Sequence, residues 1–145
     1  MSTTAFTHMP PPSLDDPYAD EWTQPFWDAT LRQELTAPRC VNCGRFRLPP
    51  TRFCSRCRHQ EMEFVPLPGT GTIFSFIVVR HPLNPEMAEY VPYLPAVIDP
   101  DGAEGVRFVS NVVDCEPEDV VIGMPVRVVW NPVSATLTLP FWTPR

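Results

Sequence analysis

From residue 68 to the C-terminus, short apolar runs alternate with turn residues. Residues 72–79 (Thr-Ile-Phe-Ser-Phe-Ile-Val-Val) are rich in β-branched and aromatic side chains and follow Gly69 and Gly71, so they predict a strand. Residues 94–98 predict a second strand, broken by Pro95, and residues 99–102 (Asp-Pro-Asp-Gly) a turn after it. Residues 106–113, 126–130 and 137–142 predict three more. Between the third and fourth, residues 116–119 (Glu-Pro-Glu-Asp) read as a single helical turn, which the chain leaves at Gly123. Five short strands with one helical turn before the fourth predict a small barrel such as an OB-fold, with a small open sandwich as the alternative.

Ahead of this region the apolar period changes. Phe26, Trp27, Leu31 and Leu35 recur near helical spacing, Thr23 stands where a cap belongs, Pro25 suits a first turn and Pro38 ends the pattern. Segment 21–38 is therefore predicted as a helix, whose Phe26 and Trp27 either anchor it on its own domain or meet a partner. Residues 1–20 carry Pro10, Pro11, Pro12 and Pro17 among small and acidic residues and predict a flexible arm.

Segment 39–66 follows neither period. It holds Cys40 and Cys43, then Cys54 and Cys57, two Cys-x-x-Cys pairs separated by ten residues. Two residues between cysteines let one tight turn aim both sulfurs at one ion, and Gly44 supplies the positive φ that such a turn needs. The spacer, with Pro49 and Pro50 in its second half, is long enough for a hairpin that brings the second pair across. Four thiolates in a closed tetrahedron predict one structural zinc with no open position for substrate. Iron of the rubredoxin type is the alternative metal. His59 is a possible substitute ligand, but a complete four-cysteine set leaves it no role. The segment has few apolar residues of its own, so metal binding is expected to supply part of its folding free energy. The domain reading is thus an arm (1–20), a helix (21–38), a zinc ribbon (39–66) and a barrel (67–145).

Composition narrows the class. At 145 residues and 43% hydrophobic the chain can bury a core, and its 20 prolines favour short strands and turns over long helices. No apolar run approaches the roughly 20 residues of a membrane span. No basic patch followed by an apolar stretch marks a leader. With paired cysteines read as metal ligands, the expectation is a soluble cytoplasmic protein that binds no membrane. The net charge of −6 is unevenly spread: lysine is absent, and six of eleven arginines (Arg39, Arg45, Arg47, Arg52, Arg56, Arg58) fall in a stretch without an acidic residue. The other five arginines face all seventeen carboxylates, a net of −12 for the rest of the chain. These arginines either keep a metal module soluble or bind an anion.

Catalytic signatures are absent: there is no nucleophile triad motif, Walker loop or dinucleotide loop. Cys115 reads as a buried hydrophobe, because Asp114 and Glu116 beside it would raise a thiol pKa rather than activate it. Residues 80–93, with three prolines, form a long connection of the kind that often carries function.

In their order and spacing these pieces resemble the DUF35 family of acyl-CoA-associated proteins. The resemblance is carried by Pro25, Phe26 and Trp27, by residues 40–44 (Cys-Val-Asn-Cys-Gly) and 49–57 (Pro-Pro-Thr-Arg-Phe-Cys-Ser-Arg-Cys), and in the barrel by residues 69–76, 92–97, 114–119, 122–124 and 126–129. It implies a rubredoxin-like zinc ribbon joined to an OB-fold. It also implies an accessory subunit, not catalytic alone, of a thiolase-fold enzyme (thiolase, aldolase or acyltransferase) in a hetero-oligomer acting on CoA thioesters of lipid or steroid metabolism. Some relatives are fused to a hydratase domain, of which these residues carry none. From chemistry alone, Arg45, Arg47 and Arg52 are candidates to hold CoA phosphates. Arg80, His81, Tyr90 and Tyr93 are candidates for the pantetheine or acyl part, and Phe26 and Trp27 for a partner surface. A nucleic-acid-binding zinc-ribbon and OB module is the alternative, set against a sequence pI near 4.9. Rubredoxin-like electron transfer is a third reading, and it requires iron.

Overall fold

The computed structural model describes residues 6–12 and 19–145. Its first element, helix α1, spans Gln24–Leu31 with Pro25 in the first turn. Thr23 occupies the cap position, but its side chain makes no capping bond. Asp20 does that work instead, its Oδ1 accepting from the N–H of Trp22 at 3.0 Å and of Thr23 at 2.9 Å. The helix expected over 21–38 is therefore shorter. The N–H groups of Arg32 and Gln33 return to the carbonyls of Ala29 and Thr30, and Gln33 takes a left-handed φ of 59°. The chain then drops Leu35 into the barrel core. Pro38 lies not at a helix end but in the strand that follows.

Strand β1 (Thr36–Cys40) pairs antiparallel with β2 (Met62–Pro66), Cys40 facing Met62 across the ladder. The two cysteine turns open from this ribbon. In the first, the Gly44 N–H returns to the Cys40 carbonyl at 2.9 Å with a φ of +74°; in the second, the Arg58 N–H returns to Cys54 at 2.8 Å with a φ of 64°.

Five strands close into a barrel: β3 (Thr70–Phe76), β4 (Leu94–Pro100), β5 (Phe108–Val112), β6 (Pro125–Ser134) and β7 (Leu137–Pro144), in the order β3-β4-β5-β7-β6. All pairings are antiparallel except β5 with β7, which meet in parallel at Val112 and Trp142. The predicted first strand is displaced toward its glycines, and Val79 is left in an isolated bridge to Tyr93. Pro95 does not break β4. It lies just past the last β3 pair, Phe76 with Ala96, where the missing N–H costs no ladder bond to β3. Residues 116–119 form the expected turn, the Asp119 N–H bonding to the Glu116 carbonyl at 3.0 Å.

Ile73, Leu94, Ile98, Val112, Val126 and Trp142 fill the barrel, with Leu35 and Phe26 reaching it from the N-terminal side. Ala37, Ala103 and Val106 form a second small core, which seals the ribbon onto the loop between β4 and β5. Ribbon, helix and barrel therefore share buried contacts. Among the described residues, no helix is long and apolar enough to cross a membrane.

The arm departs from expectation. Residues 6–12 lie on the barrel, and Thr7 and Asp114 exchange backbone and side-chain hydrogen bonds. Residues 1–5 and 13–18 of the predicted arm lie outside the described residues.

Candidate metal centre and apolar cleft

The two cysteine turns bring four sulfurs within 4.8 Å of one another, with Cys40 Sγ 3.6 Å from Cys57 Sγ and Cys43 Sγ 3.5 Å from Cys54 Sγ. Ligands at about 2.3 Å from a tetrahedral zinc stand about 3.8 Å apart, so the set fits that ion. Backbone N–H groups of Cys57 and Arg56 pull the Cys54 thiol down to about 6. The side chain of Asn42, then the His59 N–H, lowers Cys57. The Arg45 N–H pulls Cys43 the same way, but desolvation and the neighbouring thiols outweigh it and push Cys43 up to about 11. Four ionised sulfurs at this spacing repel one another, and a divalent cation is what lets all four ionise together. His59 stands outside the cluster and contributes its carbonyl, accepting from the Cys54 N–H at 2.8 Å. With four protein ligands the centre is closed to substrate, which makes it structural.

The ribbon arginines do not form one anion-binding face. Arg47 is buried, 6% exposed, and donates to the carbonyls of His59 at 3.2 Å and Gln60 at 2.7 Å. It is a brace inside the ribbon, and its guanidinium is not presented to a phosphate. Arg39 pairs with Glu63 at 2.6 Å. Arg45 and Arg56 rim a hollow of about 400 Å³ beside Cys43, with Glu104 opposite. Arg52 lies over the Phe53 ring, beside Glu21 and Pro50.

The expected contacts of the 80–93 connection are also separated. Arg80 pairs with Glu118 at 2.7 Å and holds that carboxyl below its usual range. His81 is exposed, Tyr93 is tied to Val79 by backbone bonds, and Tyr90 is half-buried and shares a hollow with Val133 and Leu139.

Phe26 and Trp27 do belong to a site. Their rings meet edge-on at 5.1 Å, and Phe26 stacks on Phe108 of β5 at 6.0 Å. Together with residues 48–50 of the ribbon spacer they wall an open cleft of about 410 Å³, whose other side is Val109, Leu139 and Pro140 on the barrel. Its size and apolar lining suit a ligand or an apolar protrusion. Sequence reading missed the barrel side of this cleft. The signal was the inward–outward alternation of β5, where buried Phe108 is followed by Val109 at 82% exposure.

Comparison with known proteins agrees with both modules. A family model described as the rubredoxin-like zinc ribbon domain of ChsH2 matches residues 27–63, and one described as its C-terminal OB-fold domain matches residues 64–131. A probable enoyl-CoA hydratase alpha subunit of Thermomonospora curvata is 37% identical over 120 residues, covering 82% of this chain; the chain spans 36% of that protein's length. A DUF35 domain-containing scaffold protein of Methanocaldococcus jannaschii is 37% identical over 101 residues, covering 69% of this chain and 70% of that one. A solved structure described as the Ltp2-ChsH2(DUF35) aldolase superposes with a TM-score of 0.80 at 33% identity, over 89% of this chain and 98% of that one. With its zinc-ribbon cysteines in place and its OB barrel closed, the chain belongs to the DUF35 family.

Proposed function

We propose that this chain is a non-catalytic accessory subunit of an acyl-CoA-processing hetero-oligomer, and that its partner is a thiolase-fold enzyme in the cytoplasm. The observation that carries the reading is the likeness, at 33% identity over nearly the whole chain, to the DUF35 component named in an aldolase assembly. Relatives named as hydratase alpha subunits and as scaffolds support the same class of role. The chain's own chemistry agrees. Its closed cysteine centre offers no metal position for substrate, and Cys115 has a raised pKa through burial and the charges of Asp119 and Glu116. In such a complex the ribbon holds α1 against the barrel, and the apolar cleft lies beside the entrance for the CoA thioester. Arg45, Arg52 and Arg56 remain exposed for its phosphates, whereas Arg47 does not. The nucleic-acid alternative has less behind it. Backbone tracking needs a basic stripe, and here Arg47 is buried, Arg39 is paired and the barrel is acidic.

Native purification through a tag on this chain, with mass spectrometry of proteins and metal, tests the proposal. Recovery of a thiolase-fold protein with about one zinc per chain is the expected result. Recovery of nucleic acid, or of the chain alone, would overturn it.

A further inference from the structure

Composition predicts a flexible arm at the N-terminus, yet the structure fastens residues 6–12 to the barrel at several points. The Thr7 N–H donates to Asp114 Oδ1 at 2.8 Å, and the Asp114 N–H returns to the Thr7 carbonyl at 3.2 Å. Asp114 reaches both by adopting a φ of 53°, which turns its N–H and its carboxylate toward the same strand of chain. The Phe6 ring meets Phe141 edge-on at 6.2 Å. His8 adds Nδ1 to the Pro92 carbonyl at 3.1 Å and Nε2 to Glu116 at 3.4 Å.

Beyond His8, the side chains of Met9, Pro10, Pro11 and Pro12 wall a second cleft of about 250 Å³ with Tyr90 and Val133. This second cleft shares Asn111, Leu139 and Phe141 with the larger cleft beside α1. The two therefore adjoin at the β5–β7 seam, between Trp27 and Tyr90. Three prolines suit such a wall for a physical reason: they hold an extended conformation and carry no N–H, so no donor is left unpaired against an apolar ligand.

Of the polar groups along the two clefts, Asn111 leaves its buried Oδ1 without a partner, while two others are spent. Arg107 is held by Asp99 at 2.8 Å with its guanidinium 3.6 Å over the Phe74 ring, and Ser110 donates to the Pro140 carbonyl at 2.6 Å. The open atom is an acceptor, which repels a phosphate, whereas an alkyl or alicyclic chain meets apolar lining in both clefts. We propose that the two clefts act as one trough that takes the acyl chain of the thioester, and that the N-terminal strap, residues 6–12, walls its far part and so favours a long chain over a short one. The acyl identity of the ligand rests on the accessory-subunit reading; the apolar trough and its strap do not.

The test is calorimetric titration of the full zinc-loaded chain with CoA, hexanoyl-CoA and dodecanoyl-CoA below its micellar concentration. Each buried methylene tightens binding by up to about fourfold, so dodecanoyl-CoA should bind more than tenfold tighter than hexanoyl-CoA. Deleting residues 1–12 should lower that ratio at least severalfold. Asp114→Ala, which frees the strap without shortening the chain, and Tyr90→Ala, which lines the same cleft, should do the same if the deletion does not fold. Equal affinities for the two acyl chains, or a ratio that the folded variants leave unchanged, would overturn the proposal. Partner recovery by tag is measured on the same variants. A chain-length ratio with no thiolase-fold partner retires the accessory reading alone, and a partner with no ratio retires the trough alone.

Discussion

The Arg47 guanidinium donates to the Gln60 carbonyl at 2.7 Å from inside the ribbon, and to the His59 carbonyl beside it at 3.2 Å. One buried cation thus ties the hairpin spacer to the segment just after the last zinc ligand.

Replacing that brace should cost the ribbon more than replacing its exposed neighbour. Arg47→Met leaves the Gln60 carbonyl without a donor and the His59 carbonyl with only the Cys54 N–H, and should destabilise the protein by about 2 kcal/mol. Arg45→Glu, on an exposed side chain, should change stability by less than about 0.5 kcal/mol. Urea unfolding followed by circular dichroism compares the two. Equal effects would mean that Arg47 braces nothing.

Metal uptake should release protons. Without metal the Cys43 thiol holds its proton up to about 11, so at neutral pH zinc must displace it. Calorimetry of zinc binding to chelated protein, repeated in buffers of different ionisation enthalpy, counts the protons. Cys54→Ser should retain less than about a tenth of the zinc and lose the ribbon's cooperative unfolding. Zinc uptake with no proton release would contradict the thiol assignment.

Gly71 is a packing constraint between strands β3 and β4. A methyl group there would press into the backbone carbonyl oxygen of Asp99 on the facing strand, where nothing flexible can give way. Gly71→Ala should therefore destabilise the barrel by roughly 2 kcal/mol, within the usual range for overpacking. A melting temperature equal to that of the parent chain would show that the strands can separate to admit it.

Cys115 should alkylate slowly at neutral pH. Burial, then the charges of Asp119 and Glu116, raises its thiol above the ordinary value, so at neutral pH its thiolate fraction is smaller than that of an ordinary cysteine. With zinc bound, iodoacetamide should add one label per chain by mass spectrometry, faster in Asp119→Asn than in the parent. Rapid labelling at pH 7.5 would refute the assigned environment.

Features that depend on short covalent spacing are legible in the order of residues alone. Cys40 and Cys43, like Cys54 and Cys57, are locked together by one tight turn, so their convergence needed no knowledge of the rest of the fold. The barrel strands showed because a half-buried strand must alternate, and the family resemblance favoured an OB-fold over an open sandwich. Helix α1 was legible as an element but not in its length. Leu35 kept the helical period in sequence, yet the barrel core offered it more burial than a further helical turn would.

Which charges are free and where the apolar groups meet follow from long-range packing. Arg47 and Arg45 are two residues apart and chemically alike, but one is enclosed by the ribbon and the other faces solvent. The strap and its anchor, Thr7 and Asp114, are 107 residues apart. The trough likewise gathers Trp27, Val109, Leu139 and Pro11 from helix, barrel and arm. Such contacts form when distant segments exclude water from a common surface, an event set by the closed barrel and not by any local pattern of residues.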